Sequence, residues 1–154
     1  MKHRYSYYYG VYFMSAEKIK SLDIYSDGGS RGNPGKAAIS FTIYDDKGNK
    51  VSEESKFIGI ATNNVAEYRA LIDALKEASK YCKDKISCFS DSELLVRQLN
   101  GAYKVKAKHL KELFSELKAK EKMFKHVSYF HRPRTNPKIV RVDKLLNKKL
   151  DGLE

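Results

Sequence analysis

The repeat period of the apolar residues first changes near residue 62, and this change constrains the fold more than any other feature. Before it, apolar and polar residues alternate, as at Ile39, Phe41 and Ile43, which is the period of a β-strand. After it, apolar residues recur every three or four positions, which is the period of an amphipathic helix. These residues are Val65, Tyr68, Leu71, Ile72, Leu75 and Ala78.

Turn residues and short apolar runs divide the rest of the chain into further elements. Strands are predicted at 22–26, around 39–43, and at 51–58, 86–90 and 127–131. Helices are predicted at 64–81, 93–99, 107–124 and 140–150. The order β-β-β-α-β-α-α-β-α predicts an α/β domain, in which a mixed five-stranded sheet is flanked by helices.

Length and composition fit one domain. A chain of 154 residues with 42% hydrophobic residues can build one core, and we place the domain at residues 22–154. Residues 1–21 lack a sustained period, and five of the eleven tyrosines lie between Tyr5 and Phe13. We interpret this segment as an N-terminal extension that is either disordered or strand-like.

Several classes of protein are disfavoured by the composition. No run approaches the eighteen apolar residues of a membrane-spanning helix, and the N-terminus lacks the pattern of a secretory signal. Cys82 and Cys88 do not form a zinc-like C-x-x-C pair, so free thiols are the simplest interpretation and a disulfide is the alternative. We expect a cytoplasmic protein with no membrane contact.

Positive charge is concentrated in the last third of the chain. Residues 101–154 hold fifteen Lys and Arg against six Asp and Glu, whereas residues 22–100 hold eleven against twelve, within a total net charge of +11. A near-neutral body with a basic end is typical of a protein that binds a polyanion. The alternative is a lysine-rich solvated surface, as in many proteins from hot environments.

Four acidic residues lie where the predicted topology brings strand ends and helix starts together. Each has an ordinary explanation. A turn would explain Asp27, a capping box would explain Glu67 or Asp91, and a surface ion pair would explain Asp143. The sequence context of each acid decides between these explanations and a shared site. The four acids are Asp27, Glu67, Asp91 and Asp143.

Three of these contexts resemble the motifs of type 1 ribonuclease H. They are D-G-G-S-R-G-N-P-G at 27–35, T-N-N-V-A-E-Y-R-A-L at 62–71 and S-D-S-E-L-L-V at 90–96, and L-N-G-A-Y-K-V-K at 99–106 is similar as well. The motifs occur in the family's order, each on the expected element, and the resemblance covers residues 22–150. It implies a ribonuclease H-like fold.

The resemblance also implies a metal-dependent phosphodiesterase. Two Mg²⁺ ions, or Mn²⁺ in their place, would activate water and neutralise the charge on the phosphate, and such ions prefer oxygen ligands. By resemblance Asp27 bridges both ions, Glu67 and Asp91 complete the leaving-group site, and Asp143 completes the nucleophile site. Without a cation, carboxylates this close raise one another's pKa.

The fourth motif departs from the family pattern. It reads H-R-P-R-T-N-P-K-I-V-R-V-D at 131–143, with Asn136 seven residues before Asp143, whereas relatives place the asparagine four residues before the aspartate. A short insertion would reconcile the two. His131 matches the family's histidine and is either a proton carrier or product-release group near the metals, or a strand-end residue that touches nothing reactive.

Substrate-binding residues are also implied by the resemblance. Thr62 matches a position that contacts phosphate, and Asn63, Asn64 and Asn33 match positions that contact the groove of the substrate. Many relatives have asparagine at the position of Ala107, so the phosphate pocket would depend on neighbouring lysines. The basic handle helix of some bacterial members is absent from the sequence. The candidate lysines are Lys104, Lys106 and Lys108.

The leading expectation is a monomeric endoribonuclease, without a small-molecule cofactor, that cuts the RNA strand of an RNA–DNA hybrid. Its products would carry 5′-phosphate and 3′-hydroxyl ends, and contacts with 2′-hydroxyl groups would select the RNA strand. One alternative is a two-metal nuclease that acts on double-stranded RNA or DNA junctions. A catalytically silent nucleic-acid-binding domain is the other, although the presence of Asp27, Glu67 and Asp91 disfavours it.

Overall fold

The structure is a computed structural model that describes residues 18–152, together with the backbone of residues 5–8 and 11–14. Strands β1 (Tyr5–Tyr8) and β2 (Val11–Met14) pair in antiparallel orientation, with Tyr5 opposite Met14. The predicted extension at 1–21 therefore falls partly outside the described residues.

Five further strands form one mixed sheet in the order β5-β4-β3-β6-β7. Strands β3, β4 and β5 are antiparallel neighbours, and β6 and β7 run parallel to β3. The prediction of a mixed five-stranded sheet with four helices is thus confirmed. The strands are β3 (Ser21–Arg31), β4 (Gly35–Tyr44), β5 (Lys50–Ala61), β6 (Lys85–Ser90) and β7 (His126–His131).

Helices cover both faces of this sheet. Helices α1 (Asn63–Ala78), α2 (Glu93–Leu99) and α3 (Lys108–Glu121) pack on one face, where a large apolar cluster includes Leu22 of β3 and Leu117 of α3. Helix α4 (Pro137–Leu150) packs on the other face, where Val142 meets Tyr25. Because both faces are covered, β4 is buried continuously from Ala37 to Ile43.

Two predicted boundaries are wrong in a way that matters for the site. The first strand does not end at residue 26 but continues to Arg31, and the chain turns at Gly32, whose φ is +90°. Helix α4 begins at Pro137 rather than at residue 140, because the Asn136 side chain accepts hydrogen bonds from the amides of Lys138 and Ile139.

The state of the cysteines and the character of the helices are both visible in the structure. Within residues 18–152, Cys82 and Cys88 are both buried free cysteines, as the simpler interpretation predicted. None of the described helices is long and apolar enough to cross a membrane.

Thr42 on β4 carries a buried hydroxyl that has no hydrogen-bond partner among residues 18–152. Because such a group loses its water without gaining a bond, we expect Thr42→Val to raise the free energy of unfolding by about 1 kcal/mol. Urea unfolding followed by circular dichroism measures this difference. A lower free energy of unfolding in the variant would show that the hydroxyl is satisfied.

Candidate active site

Parallel pairing of β3 with β6 places Asp27 and Asp91 at the same edge of the sheet. Tyr25 of β3 lies opposite Phe89 of β6 in this pairing. Asp27 and Asp91 each follow this pair by two residues, so the two carboxylates leave neighbouring strands at the same level.

Gly28 brings the first turns of α1 against β3. A Cβ atom built on Gly28 would lie 2.3 Å from the backbone carbon and oxygen of Ala66 and 2.6 Å from the amide nitrogen of Glu67. Only glycine permits this approach, since real Cβ atoms do not come within 3.0 Å of other heavy atoms. The contact places the backbone of Glu67 beside the residue that follows Asp27.

Helix capping does not explain the positions of Glu67 and Asp91. The N-cap of α1 is Thr62, whose hydroxyl accepts from the Val65 amide at 3.3 Å, so Glu67 is the fifth helical residue and lies outside a capping box. The N-cap of α2 is Ser92, so Asp91 precedes the cap. Neither carboxylate is explained by helix capping.

Asp143 lies on α4, near its middle rather than at its start. The neighbouring Arg141 is not its ion-pair partner, because Arg141 donates two hydrogen bonds to Glu53 of β5, at 3.0 and 2.8 Å. Because residues four and seven positions apart lie on the same face of a helix, the longer spacing from Asn136 keeps Asp143 on the face that the family spacing would give. The departure in the fourth motif is therefore three added residues, which is close to one helical turn.

The pKa of Asp27 responds to the charges of the other three acids, so the four lie in one electrostatic group. Burial, followed by the charges of Asp91, Asp143 and Glu67, raises the pKa of Asp27 to about 8, although the Gly28 amide donates a hydrogen bond to its carboxylate at 3.0 Å. Burial and the charge of Asp91 also raise the pKa of Glu67, against a hydrogen bond with Ser92. The structure thus brings together all four acids selected from the sequence.

This group suits a divalent cation without forming a closed coordination shell. Among residues 18–152, no set of three or more His, Cys, Asp or Glu side chains is already arranged around a metal position. Mg²⁺ retains several of its waters and prefers carboxylate oxygens, so it needs few protein ligands. A cluster of four carboxylates that repel one another fits such an ion.

His131 ends β7 at the same edge, opposite Ser90, which precedes Asp91. It is exposed. Arg134, which was not among the predicted site residues, lies beside the acids, since its Nε is 3.5 Å from an Asp91 carboxylate oxygen while 92% of its side chain is exposed. In the sequence, the P-R pair at 133–134 of the fourth motif could have pointed to Arg134.

Two of the predicted substrate-contacting residues, Asn33 and Asn63, are held by hydrogen bonds to backbone amides, whereas Asn64 is exposed. Asn33 and Asn63 join the β3–β4 turn to α1, because Asn33 Oδ1 accepts from the Asn63 amide at 3.0 Å and Asn63 Oδ1 accepts from the Ser30 amide at 2.9 Å. Within residues 18–152, neither side-chain NH₂ group has a hydrogen bond. Asn64 is exposed, and Thr62 is occupied as the N-cap.

The three candidate lysines, Lys104, Lys106 and Lys108, are exposed between the end of α2 and the start of α3. A cavity of about 530 Å³ opens beside them, lined by Gln98, Tyr103, Lys104 and Phe114 among others. The buried Gln98 accepts a hydrogen bond from the Tyr68 hydroxyl at 2.7 Å, and the Arg97 guanidinium lies 5.3 Å from the centre of the Tyr103 ring. Gln98 and Tyr103 were not selected from the sequence.

Similarity to known proteins extends over most of the chain. A family profile described as "Reverse transcriptase-like" matches residues 25–142. "Ribonuclease HI" of Halobacterium salinarum is 40% identical over 129 residues, which are 82% of this chain and 63% of that protein. "Bifunctional protein Rv2228c" of Mycobacterium tuberculosis is 38% identical over 130 residues, which are 84% of this chain and 35% of that protein.

Solved structures agree with these sequence matches. The crystal structure of RNase H1 from Halobacterium salinarum superposes with a TM-score of 0.81 at 38% identity, over 86% of this chain and 98% of that one. LC11-RNase H1, isolated from compost by a metagenomic approach and solved in complex with an RNA/DNA hybrid, gives 0.79 at 42% identity, over 85% and 97%.

The chain spans about a third of the mycobacterial protein and under two thirds of the halobacterial one, so the matches concern a shared domain. The family profile, the level of identity and the superposed folds agree with the motifs at 27–35, 62–71 and 90–96. The chain belongs to the type 1 ribonuclease H family.

Proposed function

We propose that the protein is an endoribonuclease that hydrolyses the RNA strand of RNA–DNA hybrids to 5′-phosphate and 3′-hydroxyl products. The observation that carries this proposal is the cluster of four coupled carboxylates around Asp27. The cluster lies at the edge of the sheet where α1 begins, near the exposed Asn64. The names of the relatives, and the hybrid bound to LC11-RNase H1, support the same activity.

Asp27, Glu67, Asp91 and Asp143 would hold two divalent cations, Mg²⁺ or Mn²⁺. When bound, such ions supply an activated water and neutralise charge that develops on the phosphate. In this assignment Asp27 would contribute to holding both ions, Glu67 and Asp91 would serve the leaving-group side, and Asp143 would serve the nucleophile side. The donors are all carboxylate oxygens, which is the ligand type that both ions prefer.

Other residues of the chain prepare this group and its surroundings. Hydrogen bonds from the Gly28 amide and from Ser92 favour the ionised forms of Asp27 and Glu67, which a cation requires. The exposed His131 lies at the same edge of the sheet, opposite the residue that precedes Asp91. Arg134 supplies a positive charge beside Asp91 that can meet a substrate phosphate.

Substrate contacts would fall on both sides of the carboxylates. The free NH₂ groups of Asn33 and Asn63 are hydrogen-bond donors suited to 2′-hydroxyls and base edges in a wide minor groove. Lys104, Lys106 and Lys108 are suited to phosphates of the DNA strand. The monomeric state, the cytoplasmic location and the boundary of the domain at residue 22 stay predictions.

A cleavage assay with end-labelled substrates tests this proposal. We expect Mg²⁺-dependent cutting of the RNA strand of a hybrid, and no cutting of duplex RNA or duplex DNA of the same sequence. Cleavage of duplex RNA or of DNA junctions in preference to the hybrid would favour a related two-metal nuclease. Hybrid binding without any cleavage would indicate a silent binding domain.

Substitution of the acids by amides separates chemistry from binding. Asp27→Asn, Glu67→Gln, Asp91→Asn and Asp143→Asn keep the side-chain shape but lose the charge that holds a cation. We expect each to lower kcat by about 10³-fold or more, and hybrid affinity measured in EDTA to change little.

Asp23→Asn is the matched control for these variants. Asp23 lies on β3, four residues before Asp27, and burial raises its pKa as well, but the acids of the cluster are not among the charges that act on it. We expect the control to keep nearly full activity. Activity close to wild type in the Asp27, Glu67 or Asp91 variant would rule out the proposed site.

The lysine segment is tested by the salt dependence of binding. We expect the triple variant K104A/K106A/K108A to bind hybrid more weakly with kcat little changed, because phosphate contacts position the duplex. The slope of log affinity against log salt should fall by about 0.9 for each phosphate that the variant no longer neutralises. Dissociation constants measured between about 50 and 200 mM salt give this slope.

A second triple variant controls for the reduced positive charge. Lys76, Lys83 and Lys125 lie at the end of α1 and at the turns that precede β6 and β7, which is the opposite end of the sheet from the acids. Their replacement by alanine should leave the slope unchanged. Equal effects of the two triple variants would mean that the lysine segment is a general solvated surface.

The raised pKa of Asp27 predicts how stability depends on pH. In the metal-free folded state the pKa is about 8, against about 3.9 in an unfolded chain. Between these values the folded state keeps a proton that the unfolded state has released, so the free energy of unfolding falls as the pH rises. Asp27→Asn removes this pH-dependent destabilisation.

We therefore expect Asp27→Asn, in EDTA at pH 8, to exceed wild type in free energy of unfolding by on the order of 2 kcal/mol. The difference should shrink as the pH falls toward 4, and MgCl₂ should reduce it at pH 8 by stabilising the wild type. Urea unfolding at several pH values measures it. A difference that does not change with pH would contradict the coupling of the four acids.

A further inference from the structure

Ser40 on β4 is linked both to Asp27 and to the backbone beside Asp143. In the antiparallel pairing of β3 with β4 it lies directly opposite Asp27. Its side chain is fully buried, and its hydroxyl donates a hydrogen bond to the carbonyl oxygen of Val142, at 2.6 Å. Val142 immediately precedes Asp143, so a single side chain connects the two parts of the chain that carry these acids.

This hydrogen bond is not needed to satisfy the carbonyl group of Val142. Val142 lies inside α4, where the amide four residues later already donates to its carbonyl oxygen. The second bond therefore acts on the position of the helix rather than on its formation. It joins the middle of α4 to a central strand of the sheet, at a point 102 residues away in sequence.

The hydrogen bond matters because apolar contacts alone do not fix the rotation and the position of α4 along its axis. Ile139, Val142 and Leu146 bury the inner side of α4, but burial depends on area and allows a helix to slide or turn slightly. A rotation by one residue would turn a side chain by about 100° around the helix axis. A hydrogen bond depends steeply on distance and angle, and so it limits such movement.

The arrangement of faces places this restraint beside the acids. Residues directly opposite in an antiparallel pair project from the same face of the sheet, with Cβ atoms about 5 Å apart. Ser40 reaches α4, so the side chain of Asp27 leaves the sheet on the α4 face as well. Asp143 therefore sits one residue from the point where α4 is fixed to the sheet opposite Asp27.

We propose that Ser40 is a positioning residue of the active site, whose hydroxyl fixes the Val142 carbonyl and thereby holds Asp143 beside Asp27. This inference rests on the proposed function, since it assigns Ser40 a role in holding the cation ligands. Ser40 touches neither the substrate nor the reacting atoms. It acts through the placement of Asp143.

Thr42 provides a matched control on the same strand. It lies two residues after Ser40, projects from the same face and is fully buried, but its hydroxyl has no hydrogen-bond partner among residues 18–152. Removal of either hydroxyl disturbs the same layer of the core. Of the two hydroxyls, only that of Ser40 holds the α4 backbone.

The test measures Mg²⁺ affinity of the full chain by titration calorimetry without substrate, alongside kcat and KM on a hybrid. We expect Ser40→Ala to bind Mg²⁺ about 10-fold more weakly, as is usual when a group that orients a ligand is removed. We expect kcat to fall with KM little changed, and hybrid affinity in EDTA to stay within about 2-fold. Ser40→Thr, which keeps the hydroxyl, should recover most of the Mg²⁺ affinity, and Thr42→Val should match wild type.

Wild-type Mg²⁺ affinity in a folded Ser40→Ala variant would overturn the inference, as would an equal decrease in Thr42→Val. If Ser40→Ala does not fold, Ser40→Cys keeps the volume with a weak donor, and it should bind Mg²⁺ more weakly than Ser40→Thr. If the wild type itself neither binds Mg²⁺ nor cleaves hybrid, the proposed function fails. That outcome is distinct from failure of the role of Ser40.

Discussion

The backbone contact between Gly28 and the first turns of α1 is the constraint on which the site depends. It exists because residue 28 has no side chain, and it sets how closely a helix can approach the central strand. Glu67 is thereby placed beside Asp27. Parallel pairing with β6 adds Asp91 at the same level, and α4 adds Asp143 from the opposite face.

This geometry works against the stability of the metal-free protein. Four carboxylates share a partly buried edge of the sheet, and burial together with mutual repulsion raises the pKa of Asp27 and Glu67. The apolar layers on both faces of the sheet hold the elements together despite this repulsion. A site that is unfavourable when empty favours cation binding, since the cation relieves the repulsion that the fold imposes.

Much of the fold could be predicted from the sequence, because strand and helix periods are local properties. The end of the first strand could not, since two adjacent glycines locally resemble a turn. Gly28 is instead required by contact with Ala66, far along the chain. The three motifs identified the family correctly, and they selected acids that the structure brings together.

Features that depend on distant contacts were missed. The hydrogen bond from Ser40 to Val142 joins residues that share no sequence pattern, and Arg134 approaches Asp91 only because β7 ends beside β6. The unusual spacing before Asp143 is explained by the start of α4 at Pro137, which places Asp143 inside the helix. In each case the decisive information is the packing of one element on another.

The central claim is that the fold forces four carboxylates into one electrostatic group that a cation relieves. The most direct measurement is an NMR titration of the Asp27 side-chain carboxyl carbon, first without divalent ions and then with Mg²⁺. The account predicts a pKa of about 8 in the metal-free protein and a marked decrease when Mg²⁺ is added. A pKa near 4 that does not respond to Mg²⁺ would contradict it.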